Sequence, residues 1–155
     1  MTNNLTILNK LEKLIGERLN DYLDKVDGLD IELPRITDKN VMQDFPDVDN
    51  MRCSTMFWVL QTYSENEELT TNSDFCTMNV SVFLTCRRNK AVNLQKMVNG
   101  YTAAFEIFIW HNQSLDNLVD MCNVVSADFY PAVQDDPGVS GVEISLQVQY
   151  AKSYC

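Results

Sequence analysis

The chain is poor in the residues from which catalytic and metal sites are most often built. Its 155 residues include one histidine, His111, and five cysteines, none of them spaced as Cys-x-x-Cys. A zinc site needs clustered Cys and His ligands, so this composition argues against one. A Cys–His nucleophile pair needs partners that meet in space, and cysteines scattered along apolar strand faces are more typical of packing. The sequence therefore predicts a non-enzymatic protein with no cofactor and no metal.

Motifs for nucleotide and calcium binding are also missing. No Gly-x-Gly-x-x-Gly or Gly-x-x-x-x-Gly-Lys-Ser/Thr segment occurs, so nucleotide binding has no support from a motif. Asp47-Val48-Asp49-Asn50 begins like a calcium loop. Arg52, however, stands where that loop needs glycine, and Trp58 stands where it needs glutamate. We interpret the segment as a turn-rich loop.

Long apolar runs and positive charge are both scarce. No run approaches the roughly 18 apolar residues of a membrane span, and the N-terminus lacks the basic and apolar regions of a signal peptide, so we expect intracellular synthesis and no membrane partner. The chain has 12 basic and 22 acidic residues, a net charge of −10. Such a surface repels phosphate backbones, so sequence-specific nucleic-acid recognition is not expected. Two interpretations remain: simple solubility, or a surface that DNA passes without sticking.

What is present predicts an α+β domain. Apolar residues at three- and four-residue steps predict amphipathic helices at 4–26 and 91–111. Alternating patterns predict strands at 52–63, 75–86, 124–129 and 142–150, whereas the polar segment 64–74 reads as a long, acidic, solvated loop. We expect a single domain over 1–155, with an N-terminal helix (1–28), an extended loop arm (29–50) and a sheet-plus-helix core (51–155). The sheet should be antiparallel or mixed, with about four strands packed against two helices.

The last predicted strand has the clearest pattern. From Val142 to Tyr150 apolar and polar residues alternate without a miss, which is typical of a half-buried antiparallel strand. One face is expected in the core: Val142, Ile144, Leu146, Val148 and Tyr150. The other is expected to meet solvent, a neighbouring subunit or a lumen: Glu143, Ser145, Gln147 and Gln149.

Two sets of residues are candidates for a subunit interface. Arg87, Arg88 and Lys90 form the one basic cluster of an acidic chain, and they could contact an acidic neighbour such as another copy of the chain; a solvated strand end is the alternative. Trp58 and Trp110 are candidate aromatic anchors; packing in a two-layer core is the alternative.

The order of elements resembles that of small phage tail terminator and neck (head–tail joining) proteins. The resemblance comprises an N-terminal amphipathic helix, an arm, a strand pair, the apolar helix around Asn93-Leu94-Gln95-Lys96-Met97-Val98-Asn99-Gly100-Tyr101, and a last alternating strand. The arm at 29–50 departs from that order.

The resemblance implies a structural protein that forms a homo-oligomeric ring, usually a hexamer, on the end of the tail tube and joins it to the neck or connector. DNA would pass through the lumen without sequence-specific binding. The implied location is the virion tail or neck, after assembly in the host cytoplasm. The alternatives are a head-completion or connector protein and, from other classes, a small regulatory ligand-binding α+β domain or, third, a small hydrolase.

Overall fold

Two helices cover one face of a five-stranded mixed sheet. The structure, a computed structural model, describes residues 2–70, 73–88 and 93–153. Within these ranges the helices are α1 (Asn4–Leu23) and α2 (Leu94–His111). The strands are β1 (Val41–Met42), β2 (Thr55–Thr70), β3 (Ser73–Arg87), β4 (Met121–Tyr130) and β5 (Val139–Ser153). The strand order is β1-β2-β3-β5-β4, with β1 parallel to β2 and the other pairs antiparallel.

The α+β prediction is confirmed, with one strand more than the four expected. The additional strand is β1, which lies within the predicted arm and pairs Val41 with Phe57. A two-residue strand has no periodicity that a sequence pattern could reveal.

Helix α1 is capped by Asn3 and ends earlier than expected. The Asn3 side chain accepts a hydrogen bond from the backbone N–H of Thr6 at 2.9 Å, and the Thr6 hydroxyl accepts one from the backbone N–H of Asn3. The helix ends at Leu23 rather than at Val26, although Val26 still packs against the core. Six side chains at helical spacing are buried: Ile7, Leu11, Leu14, Ile15, Leu19 and Leu23.

Helix α2 carries the most apolar stripe of the chain. Asn93 caps its start by accepting a hydrogen bond from the backbone N–H of Lys96. Its apolar residues at three- and four-residue steps are all buried: Leu94, Met97, Val98, Tyr101, Ala104, Phe105, Phe108 and Ile109. The ring of Phe105 stacks on that of Phe57 at 6.0 Å, so this helix joins the helical layer to the sheet.

The prediction of a loop at 64–74 is wrong. Strand β2 continues through Thr70 and β3 begins at Ser73, and the two are paired from Thr55↔Cys86 to Thr70↔Ser73. The end of this hairpin is a ribbon whose β2 side chains are exposed on both faces. A strand with neither face buried shows no apolar alternation, so its pattern resembles that of a loop. Backbone pairing with β3, which is itself paired with β5, holds it extended.

The pattern of the closing strand is confirmed. Strand β5 lies between β3 and β4 in the sheet, and all five residues of its predicted core face are buried. The four polar residues lie on the outer face, which is the face of the sheet opposite the helices. There Glu143 accepts a hydrogen bond from Ser81 at 2.9 Å, and Gln147 is exposed.

The arm at 29–50 packs against the helices of its own chain. Its Leu33 and Ile36 are buried against the helices, and Tyr101 donates a hydrogen bond to the carbonyl of Pro34 at 2.6 Å. The arm crosses α1 at Gly16 and α2 at Gly100. A Cβ atom on Gly16 would lie 3.3 Å from the backbone of Asp38, and a Cβ atom on Gly100 would lie 2.9 Å from a methyl of Leu33. The arm therefore stabilises the layer of helices.

Beyond β1 the chain passes to the outer face and closes a second, smaller core. Val48 packs there with Val133 and Val139, and this cluster is hereafter the outer core. Gln134 ties the two loops together, since its side chain accepts from the backbone N–H of Val48 and donates to the carbonyl of Pro46. As a result the sheet is covered on both faces at this end, which is hereafter the covered end.

Candidate interaction surface

The cysteines are placed for packing. Cys76, Cys86 and Cys122 are buried, and Cys53 is partly exposed; Cys155 lies outside the described residues. Burial raises the pKa of Cys86 and of Cys122 to about 12, so at neutral pH both are thiols rather than nucleophilic thiolates.

The one histidine lies on the surface, at the end of α2. The ring of His111 stacks on that of Tyr22 at 5.6 Å, and it stands in the last turn of the helix, where a cation interacts favourably with the helix dipole. Across 2–70, 73–88 and 93–153, no group of three or more His, Cys, Asp or Glu side chains could hold a metal ion. Nor does any helix in these ranges have the length and apolarity to cross a membrane.

The two tryptophans differ sharply. Trp58 is 2% exposed, and its indole N–H donates a hydrogen bond to the hydroxyl of Thr85 at 2.9 Å. It is therefore packed inside its own chain, so the alternative of core packing holds for Trp58 and its prediction as a surface anchor is corrected. Trp110 is 71% exposed on the outer side of α2 and remains a candidate anchor.

The residues of the basic cluster, Arg87, Arg88 and Lys90, also differ in their surroundings. Arg87 is used within the chain: its guanidinium donates to the carbonyl of Val48 and lies 3.8 Å from a carboxylate oxygen of Asp136. Arg88 is exposed and makes no ion pair with the described residues, although its backbone N–H donates to the carbonyl of Gly138 at 2.7 Å. Lys90 lies outside the described residues.

Exposed apolar side chains line strand β4, which forms one edge of the sheet. Val125 is 64% exposed because the register shifts between Val124 and Ser126, and the extra residue bulges from the strand. A groove of about 650 Å³ joins Val125 to Trp110. These side chains are hereafter the β4 flank: Trp110, Met121, Val125, Phe129 and Tyr130.

A pocket of about 640 Å³ lies where the end of β4, the start of β5 and the start of α2 meet at the covered end, beside Arg88, which follows β3. Its apolar side is made by side chains such as Leu94 and Phe129, and Arg88 is the one charged residue among the described residues that line it. The negative charge of Glu143 raises the pKa of the Tyr130 phenol, which is therefore neutral at neutral pH. This pocket is hereafter the Arg88 pocket, and its main lining residues are Arg88, Leu94, Val98, Phe129, Tyr130 and Pro131.

The end of the β2–β3 hairpin is acidic, whereas the Arg88 pocket is basic. Glu67, Glu68 and Leu69 are exposed, and Leu69 is 55% exposed although it is apolar. Neither glutamate side chain forms an ion pair or hydrogen bond with the described residues. These three residues are hereafter the acidic tip.

Sequence reasoning identified Trp110 and Arg88 but missed the rest of these surfaces. Tyr130 and Phe129 were assigned to the end of a strand, and Leu69 to a loop. The signal that could have found the acidic tip is an isolated leucine beside glutamates, which is weak. No sequence signal marks Val125, because the bulge depends on pairing with β5.

The fold defines a class, an α+β domain, and its described residues include exposed apolar and charged surfaces. A comparison with protein families finds no family that matches the chain, and a comparison with curated proteins finds no matching sequence. The resemblance to tail terminators and neck proteins therefore stays a prediction.

Proposed function

We propose that the protein is a non-enzymatic structural component of a phage or phage-like tail. In this role it forms a homo-oligomeric ring, a hexamer, that caps the tail tube and joins it to the neck or connector. The observation that carries the assembly role is the β4 flank. The specific place in the tail rests on the order of elements described above.

The β4 flank has the composition of a protein-binding surface. It combines a tryptophan, a tyrosine and a phenylalanine, which are types enriched at interfaces, with an exposed strand edge. Trp110 and Val125 line one groove, so their exposed surfaces form a continuous apolar patch of the kind that marks protein–protein contact sites. An edge strand also offers unpaired backbone groups to a partner strand. These properties support an assembly role more than a catalytic one.

The charge of the chain supports the passage of DNA. A net charge of −10 disfavours binding to phosphates, so a ring of such subunits would present DNA with a surface to which it does not adhere. At low ionic strength we expect no retardation of DNA by the protein in a gel-shift experiment. Tight binding at about 50 mM salt would contradict this part of the proposal.

A small ligand-binding domain is the second candidate, and the Arg88 pocket is the observation that favours it. Its volume lies within the range of small-molecule sites. A thermal-shift screen against small anions separates the two functions. Stabilisation that depends on Arg88 would favour the ligand-binding domain, and no shift would favour assembly.

The proposed function is tested by tube capping. Purified protein is analysed by size-exclusion chromatography with light scattering and by negative-stain imaging, alone and with tail tubes polymerised from a candidate tube protein of the same genome. We expect rings, and tubes that are capped and stop growing. Trp110→Ser combined with Val125→Ser should reduce ring formation or capping, because both changes remove exposed apolar contacts from the β4 flank.

The matched control is Leu5→Ser, which removes an apolar side chain that is equally exposed but lies on α1. It should leave rings and capping unchanged. A protein that stays monomeric at high concentration and does not bind tube ends would overturn the proposal. Binding to a connector but not to tubes would reassign the protein to head completion.

A further inference from the structure

The acidic tip and the Arg88 pocket are complementary in chemistry. The tip presents an exposed leucine between carboxylates and the end of the ribbon, and the pocket presents apolar walls with a free guanidinium at its margin. Carboxylate–guanidinium pairs at an interface select partners and fix register. An apolar side chain that enters an aromatic-lined pocket supplies the burial that charge pairs lack.

Two acidic groups close to the pocket are already engaged within the chain, and Arg88 forms no ion pair with any described carboxylate. Asp136 lies near the guanidinium of Arg87 and accepts a hydrogen bond from the backbone N–H of Gly138 at 2.8 Å, while Glu143 accepts one from Ser81. Arg88 is therefore left available for a carboxylate from outside its own chain.

The tip cannot reach the pocket of its own chain. Strand β3 has 15 residues, beginning at Ser73 beside the tip and ending at Arg87 beside the pocket. At about 3.3 Å per residue the two surfaces lie roughly 45 Å apart along a sheet that is paired throughout that length. A contact between them must therefore join two molecules.

We propose that the acidic tip of one copy inserts into the Arg88 pocket of the next copy. Leu69 enters between Phe129 and Leu94, and Glu67 or Glu68 pairs with Arg88. This inference rests on the proposed ring-forming function and names the contact through which neighbouring subunits associate.

Such a contact is heterologous, because it joins two different surfaces of identical chains. Each subunit then has one donor surface and one acceptor surface. Repetition of a heterologous contact closes a ring when the rotation between neighbours divides a full turn, and it builds an open filament otherwise. The contact thus predicts an oligomer in which neighbouring subunits are not related by a twofold axis.

Charge reversal with rescue tests the pairing. Arg88→Glu alone and Glu67→Lys with Glu68→Lys together should each weaken self-association by about tenfold or more, because each places like charges in contact. All three changes in one chain should restore association to near the wild-type level. Dissociation constants are measured by analytical ultracentrifugation or light scattering of the full chain.

The matched controls reverse charges elsewhere on the surface. Lys13→Glu corresponds to Arg88→Glu, and Glu17→Lys with Asp21→Lys corresponds to the reversal at the tip, since all three residues are exposed on α1. Both controls should associate like the wild type. Circular dichroism should show every variant folded, because each altered side chain is exposed.

The outcomes separate this contact from the proposed function. If the wild type forms a ring, and that ring tolerates both reversals or is disrupted by them without rescue, the tip-to-pocket contact is overturned. The proposed ring-forming function then still stands. A wild-type chain that is monomeric both in solution and with tail tubes overturns both proposals. Rescue by the combined variant supports the contact.

Discussion

The two halves of strand β2 have opposite surroundings within one continuous strand. From Thr55 to Val59 every residue is buried, on the helix face and on the outer face alike. From Thr62 to Leu69 every residue is exposed on both faces. Both halves are paired with β3 through the same antiparallel ladder, so backbone hydrogen bonding does not distinguish them.

The difference arises from what covers the sheet. Over the first half, α2 lies on one face at Phe57, and on the other face Trp58 is buried beside Thr85, whose hydroxyl contacts Met51. The second half projects beyond α1, where Asn4 contacts it at Ser64. Strand formation and burial are therefore separate properties in this protein. The covered half should determine stability, and the projecting half should be free for association.

The largest expected effect is that of Trp58→Ala in the covered half. Loss of this buried indole should lower the free energy of unfolding by about 3–5 kcal/mol, since it creates a cavity and leaves the hydroxyl of Thr85 without its donor. Tyr63→Ala is the matched change in the projecting half and should cost less than about 0.5 kcal/mol. Urea denaturation followed by circular dichroism measures both. Equal losses would show that the two halves do not differ as described.

The second effect concerns the close approach of β5 to β3 at the covered end. A Cβ on Gly141 would lie 2.6 Å from the carbonyl oxygen of Leu84 and 3.0 Å from a methyl of Val133. Gly141→Ala should therefore lower the free energy of unfolding by about 1–3 kcal/mol, because backbone must move. Gly138→Ala is the control, since its nearest neighbour is the movable side chain of Asp136 at 3.2 Å. A neutral Gly141→Ala variant would mean that this end is loosely packed.

A smaller effect is expected from exposed charges, and it depends on pH. The guanidinium of Arg18 and the ammonium of Lys10 hold the pKa of Asp116 below its usual 3.8, at about 2. Because the folded state has the lower pKa, the contribution to stability is present above pH 4 and is lost as the pH falls toward 2. Asp116→Asn should be less stable than the wild type at neutral pH, and the difference should vanish near pH 2.

Asparagine is a suitable replacement at this site because Asp116 has a φ of 60°, in the left-handed region that asparagine tolerates. Thermal unfolding of both proteins at several pH values provides the measurement. A difference that stays constant between pH 2 and pH 7 would contradict the assigned cause.

The smallest effect on stability is expected at the acidic tip. Glu67→Lys with Glu68→Lys should change the free energy of unfolding by no more than about 0.5 kcal/mol, because both side chains are exposed and make no described ion pair. The same variant is the one expected to weaken self-association. A large loss of stability in a monomer would show that the ribbon is part of the folded core.

The fold was predictable to the extent that its elements have periodic apolar faces. Both helices and the core face of β5 were predicted from periodicity because each has one covered side. The ribbon beyond Ser64 was missed because neither of its faces is covered, and β1 was missed because two residues carry no period. Of the candidate interface residues, Trp110 and Arg88 are on the surface and Trp58 is not. That distinction depends on tertiary packing, since Trp58 is buried beside Thr85 of the neighbouring strand, which no local pattern indicates.

The sequence by itself determined the α+β class, the buried stripes of the helices, the alternating core face of β5 and the acidic balance of the surface. These follow from the spacing of apolar residues and from the count of charges, both of which are local or additive. The tertiary structure alone decided that Trp58 is buried, that Gly16 and Gly100 give the arm room, and that the acidic tip and the Arg88 pocket lie at opposite ends of one strand. Those features depend on contacts between residues far apart in the chain, which no local pattern encodes.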